Sequence, residues 1–205
     1  MTYFNIESLA IPSVWIAATM ALVAAAVLNR VIGGQKIGDW YWNGFFLYII
    51  LWKLSYIFLN FKMFLNMPFS IVYYNGGIKG HLFSLAILTL YLLLIAIKKH
   101  PTIYAEGTRV FLFYFINYEI VMNLLEQNIK VATIHSILLI GYIGLLLYLQ
   151  TRKRLFSIQM FVLIFLLELL INSLNQSITS IEMITFSLLG LTMIILLRKK
   201  GELKF

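Results

Sequence analysis

Seven apolar runs, each long enough to cross a bilayer as a helix of roughly 20 residues, occupy most of this chain and leave it little choice of fold. They cover about Ser8–Asn29, Trp42–Leu59, Gly80–Ile97, Val110–Glu126, Ala132–Leu149, Leu155–Ser173 and Ser177–Leu197. The implied fold is all-α: a polytopic membrane bundle of seven transmembrane helices. With 205 residues there is no room for a separate soluble domain, so residues 1–205 read as one integral membrane domain. Hydrophobic residues make up 61%, charged residues 12%, and mean hydropathy is +0.90, values that exclude a soluble globular domain and a disordered chain alike. The chain has no cysteine, which removes disulfides, thiol nucleophiles, iron–sulfur clusters and cysteine zinc sites together.

The formal charge of +8 is a topological signal. Arg30 and Lys36 follow the first run; Lys98, Lys99 and Arg109 separate the third from the fourth. Arg152, Lys153 and Arg154 separate the fifth from the sixth, and Arg198, Lys199, Lys200 and Lys204 form the tail. These twelve of the sixteen basic residues share one face, which the positive-inside rule assigns to the cytoplasm. The amino terminus is then outside and the carboxyl terminus cytoplasmic. No base-stacking or groove-reading element is visible in the short loops, so no nucleic-acid partner is expected.

The first run lacks the basic leader of a signal peptide, since Glu7 is the first charge, and it reads as a retained span. Ala17, Ala21 and Ala25 recur every four residues, a small-residue stripe for close helix contact. Gly33-Gly34-Gln35-Lys36-Ile37-Gly38 matches no phosphate-binding or dinucleotide fingerprint and reads as a flexible cytoplasmic connection. The outer connection from Asn60 to Lys79 is strongly apolar and contains Pro68, Tyr73, Tyr74 and Gly76-Gly77. Two placements are open for it: lying in the interface, or dipping back into the bundle.

Ionisable residues inside apolar spans are costly and mark pathways or sites. Lys53 lies eleven residues beyond Trp42, roughly 16 Å from the cytoplasmic boundary at 1.5 Å per residue. Glu119 lies at similar depth, so the two are expected to pair. Glu168 is nearer the outside, and His81, His135 and Glu182 fall near outer span ends. Glu119, Asn123 and Glu126 share one helical face, as do Glu168, Asn172 and Asn175, so two polar stripes point inward. Interhelical locking explains such stripes, each bond contributing on the order of 1 kcal/mol. A hydrated cavity that admits a polar headgroup from the outer leaflet explains them as well. The three histidines lack ligand spacing, and no metal or cofactor is expected; His100 reads as interfacial and His135 as a packed polar residue.

Lys53-Leu54-Ser55-Tyr56, then Asn60, Pro68, Gly76-Gly77 and His81, resembles in order and spacing the region between the second and third spans of prolipoprotein diacylglyceryl transferases. Phe115-Ile116-Asn117-Tyr118-Glu119 is similar to the end of that family's signature, and Glu168 falls where its sixth span carries a glutamate. The departures lie at the family's arginines: Phe111 and Ile164 occupy their positions, with Arg109 two residues before Phe111. Leu82 and Phe83 replace the small residues after the family's histidine, and there is no room for the family's arm and head elements.

The resemblance implies a multi-pass protein of the bacterial cytoplasmic membrane that acts on or binds phospholipid or lipoprotein at the outer leaflet. As a transferase it would use His81 as base, Lys53 as anion partner, and Glu119 or Glu168 to orient them. Tyr56, Asn60, Gly76, Gly77, Asn117, Asn123 and Asn172 would contact lipid. Arginine grips phosphate bidentately and phenylalanine or isoleucine cannot, so a non-catalytic lipid binder or the membrane partner of another protein stands beside the enzyme. A small transporter is the third reading, without broken-helix pairs or a visible repeat to favour it. A reporter fused after Phe205 is expected to read as cytoplasmic; an external reading overturns the topology.

Overall fold

A computed structural model describes all residues except 1–2, 7–8, 35, 74–75, 97, 99–102, 154–155 and 203–205. The readings that fall on Glu7, Tyr74, Lys99, His100, Arg154 and Lys204 therefore lie outside the described residues. The described residues are mostly helical and include one short antiparallel hairpin, β1 (Tyr3–Ile6) with β2 (Leu9–Pro12), in which Tyr3 faces Pro12 and Ile6 faces Leu9. The helices are α1 (Ser13–Gly33), α2 (Asp39–Leu59), the short α3 (Phe61–Asn66) and α4 (Ser70–Tyr73), and α5 (Gly77–Leu90), which continues as a π-helical turn over Tyr91–Ala96. There follow α6 (Ile103–Leu125), α7 (Ile129–Thr151), α8 (Ile158–Ser173) and α9 (Ile181–Glu202).

The first helix starts later than hydropathy suggests, at Ser13 instead of Ser8, because Pro12 precedes it. Proline fixes its own φ and has no N–H to give, so it is well placed just ahead of a helix. The fourth run also extends: α6 starts at Ile103, a turn and more before Val110, through a stretch that contains Glu106 and Arg109. Those polar residues are held. Glu106 Oε2 accepts from the Gly38 backbone N–H at 3.4 Å, and Arg109 Nε donates to Asn29 Oδ1 at 2.7 Å. The glycine-rich connection is thus pinned at its far end instead of hanging free.

Among the described residues, five helical stretches are long and apolar enough to cross a membrane: α1, α2, Gly77–Leu94, α7 and Ile181–Arg198. They define a multi-pass membrane protein. Both α6 and the 16-residue apolar α8 fall outside that group, α8 because it is short and α6 because it carries Glu106, Arg109, Asn117, Glu119 and Asn123. Yet α6 is the helix on which the bundle is built, packing against α1, α7, α8 and α9. Phe113, Phe115, Leu112 and Ile116 on it are fully enclosed, so burial runs round its whole circumference. The alanine stripe of α1 faces inward as expected, with Ala17, Ala21 and Ala25 fully buried, and α1 packs more extensively on α6 than on any other helix.

Cross-helix contacts set an alternating up-and-down course. Gln150 Nε2 donates to Ile32 O at 2.5 Å at one end, together with the Glu106 and Arg109 contacts. At the other end, beside the α6–α7 turn at Asn128, Tyr118 on α6 meets Glu182 on α9. Between these ends lies an aromatic plug: Phe111 has its ring centroid 5.8 Å from Phe165, 6.0 Å from Phe115 and 6.1 Å from Phe161. Phe115 stacks on Phe186 at 3.9 Å.

Gly190 lets α9 approach this plug, since a Cβ there would overlap the Phe165 ring. Gly190→Ala is expected to destabilise the protein by about 1–3 kcal/mol through overpacking. Gly141→Ala and Gly144→Ala, with nothing within 4 Å of either position, are expected to be neutral or slightly stabilising. Thermal unfolding of the three variants in one detergent checks the contrast.

Candidate functional site

One and a half turns from the Asn128 end, three helices bring ionisable groups to a single layer. Glu119 lies six residues before the end of α6, Glu168 five before the end of α8, and His135 six after the start of α7. At 1.5 Å per residue each sits roughly 7–9 Å inside its helix end. Glu168 and His135 are 0% exposed, Glu119 1% and Asn172 2%. His135 Nδ1 approaches Glu168 Oε1 to 2.8 Å, without the alignment of a hydrogen bond. The Asn172 amide neighbours the Glu119 carboxyl, and Glu182, Glu168 and Glu126 are the charged groups that act on it. Both oxygens of Glu119, both of Glu168, both ring nitrogens of His135 and Asn172 Nδ2 lack a hydrogen-bond partner. Seven polar atoms without an aligned hydrogen bond in one buried layer, two of them the His135–Glu168 contact pair, are far from the usual condition of a protein interior.

A second polar chain joins α2, α5 and α9, and it is fully satisfied. Tyr48 Oη lies 2.6 Å from His81 Nδ1, and His81 Nε2 lies 2.7 Å from Thr185 Oγ1. The Thr185 hydroxyl donates its single proton to Ile181 O at 2.6 Å, so toward His81 it acts as acceptor. His81 Nε2 must therefore donate, and in the neutral ring Nδ1 accepts from the Tyr48 hydroxyl. The two chains adjoin on α9, where Thr185 is three residues from Glu182, itself the acceptor for the Tyr118 hydroxyl at 2.8 Å.

Beside His81 the connection between α2 and α5 forms an apolar shelf. Phe61, Met63, Leu65, Met67 and Phe69 are exposed, Phe69 at 84%, as are Lys62 among them and Lys79 beyond them. Tyr56, buried at the end of α2, ties the shelf down through Ser70, oxygen to oxygen at 2.5 Å, and packs edge-on to Phe64. Asn60 ends α2, and its carbonyl accepts from Phe64 N at 2.9 Å. The shelf returns to α5 at Gly76 and Gly77, both at positive φ (73° and 56°), a conformation that L residues with a Cβ rarely adopt. Gly76 also lies directly under the Trp52 indole, which a Cβ would overlap. Irregular backbone with exposed side chains is tolerated at the membrane interface and not in hydrocarbon, so this segment lies on the surface of the bundle.

The residues singled out in the sequence thus separate into groups. Glu119, Glu168 and Asn172 come together, with Asn123 donating to Glu119 O at 2.8 Å. Asn117 bonds to Phe113 O of its own helix at 2.7 Å. Tyr56, Asn60, Gly76 and Gly77 build the shelf, and His81 sits at its foot. Lys53 is elsewhere, its ammonium 5.4 Å from the centre of the Trp52 ring on α2, while the charged groups that act on Glu119 are all acidic. The inward stripes also end at the surface, because Glu126 and Asn175 are exposed. Sequence reasoning treated His135 as packing alone; its signal was a distance from its helix end equal to that of Glu119. Tyr48, Tyr118 and Thr185 had no signal, since a hydroxyl in an apolar run is indistinguishable from one bonded within its own helix. Among the described residues no group of three or more His, Asp or Glu is arranged to hold a metal ion.

No family model, curated protein or solved structure matches this chain.

The His135–Glu168 contact is expected to be coupled. The costs of His135→Leu and Glu168→Leu taken singly should add up to more than the cost of the double variant, with a coupling of about 0.5–3 kcal/mol, as for residues in direct contact. Strict additivity in denaturant unfolding means that the two side chains are neighbours without interaction.

Proposed function

We propose that this chain is a seven-span protein of a bacterial cytoplasmic membrane, amino terminus outside and carboxyl terminus cytoplasmic, that holds membrane phospholipid at the outer leaflet without turning it over. It is read as a divergent relative of the prolipoprotein diacylglyceryl transferases. The observation that carries lipid binding is the shelf, in which five large apolar side chains stand exposed beside the exposed Lys62 and Lys79. Apolar side chains of that size enter the acyl region, while lysines at the headgroup level attract phosphate, each contributing about 1 kcal/mol near an anionic surface. The basic loops on the opposite side of the bundle support the outer position of the shelf.

Two observations favour retention over transfer. The His81 lone pair at Nδ1 is already engaged by the Tyr48 hydroxyl, so this nitrogen is not open to a substrate. The positions of the family arginines are filled by Phe111, inside the aromatic plug, and Ile164, buried beside it. An anionic glycerol phosphate leaving group would meet hydrocarbon there instead of guanidinium.

In nanodiscs of mixed phosphatidylglycerol and phosphatidylcholine, native mass spectrometry is expected to show phosphatidylglycerol retained after partial delipidation. Lys62→Gln with Lys79→Gln should lower that retention several-fold, and Phe61→Ser with Phe69→Ser should abolish it. No diacylglyceryl transfer to a lipoprotein signal peptide is expected. Unchanged retention in both double variants overturns the lipid reading, and product formation overturns the claim that turnover is absent. A stoichiometric protein in place of lipid would make the shelf a docking face for a membrane partner and also overturns it.

A further inference from the structure

We propose that the layer formed by Glu119, Glu168, Asn172 and His135 is a proton-binding site within the membrane bundle, with Glu119 as the group that takes up and releases the proton. This role is independent of what the shelf binds.

The charge balance of the layer calls for one more positive charge. Around Glu119, α9 contributes Glu182, α8 contributes Glu168 and the Asn172 amide, and α6 itself contributes Tyr118 and Glu126. From α7 the nearby titratable group is His135, against Glu168. The helix α1, packed along the other side of α6, has Arg30 as its one titratable residue, at the opposite end of the bundle. His135 offers at most one positive charge, and its contact is with Glu168. Glu182 has the Tyr118 hydroxyl as donor. Glu119 is left with two enclosed oxygens whose one polar neighbour able to donate is the neutral Asn172 amide. An ionised carboxylate so placed carries a desolvation cost with no counter-charge to offset it. Neighbouring carboxylates raise that cost further.

The same enclosure selects the ligand. A 1% exposed carboxyl leaves no opening for an ammonium-bearing lipid head, and the described residues supply no three-ligand set for a metal ion. A proton needs neither room nor ligands. It adds to one Glu119 oxygen, converts the carboxylate to the neutral acid, and returns to water on release. The route is short, because Glu126 lies two turns along the same helix and is exposed at the Asn128 end. Asn172 suits both states, since an amide oxygen accepts from a carboxylic acid and an amide nitrogen donates to a carboxylate. Protonation changes the charge at the meeting point of α6, α7, α8 and α9, so the site reports proton availability directly to helix packing.

The test is infrared difference spectroscopy of the full chain in nanodiscs, stepped between acidic and alkaline buffer. A carboxylic-acid carbonyl band that shifts in deuterium oxide is expected. It should vanish in Glu119→Gln, shift in Asn172→Leu, and persist in Glu126→Gln. Because glutamine mimics the protonated acid, Glu119→Gln should melt at the wild-type temperature or above it at every pH. If Glu119→Gln fails to fold, Glu119→Asp provides the readout through a displaced band. A band that persists in Glu119→Gln or is unmoved in Glu119→Asp overturns the proposal. So does a melting temperature that rises when sodium replaces choline at fixed pH, which would assign the site to a metal cation.

Discussion

Everything in this bundle depends on keeping one polar helix out of lipid. α6 carries Glu106, Arg109, Asn117, Glu119 and Asn123 within 23 residues, and exposed to hydrocarbon several of these would cost kilocalories each. The cost is avoided by surrounding it. α1, α7, α8 and α9 are apolar enough to face lipid themselves, and they cover α6 on all sides. The usual expectation that the most hydrophobic segment lies innermost is therefore inverted. In water burial follows hydrophobicity, but in a bilayer the lipid tails are as apolar as leucine, and polarity decides which helix goes inside.

Within that arrangement two polar systems solve the problem of burial differently. The Tyr48, His81 and Thr185 chain is closed: each hydroxyl and ring nitrogen has a partner, and it joins three helices as a fixed lock. The Glu119 layer is open, with acceptors in excess and donors misaligned. Buried polar networks that are fully satisfied confer rigidity, whereas incompletely satisfied ones are costly unless something else enters. The contrast separates the closed chain at His81 from the open layer at Glu119, and the two meet one helical turn apart on α9.

The middle of the bundle is filled by Phe111 among Phe115, Phe161 and Phe165, a tightly packed aromatic plug. The shelf between α2 and α5 meets the interface, and the acidic layer sits just inside it. The Arg109 and Tyr118 contacts lie toward the two ends of the bundle, with packed aromatic rings between them.

Apolar runs, their spacing and the distribution of lysine and arginine are local properties, and they determine helices, multi-pass architecture and expected orientation without reference to any partner residue. The inward faces of Glu119 with Asn123, and of Glu168 with Asn172, follow from the 3.6-residue period in the same way. Which stripe meets which does not follow. Depth alone made Lys53 and Glu119 equals, but depth carries no angle: Lys53 lies 5.4 Å from the Trp52 ring on its own helix, and the charged groups that act on Glu119 are acidic. Depth also failed to separate His135 from an ordinary packed residue, because its neighbour Glu168 lies on another helix 33 residues away. Tertiary structure alone decided these pairings. In a bundle the rotation of each helix about its axis is set by side-chain fit with its neighbours, and no single helix encodes that fit in its own sequence.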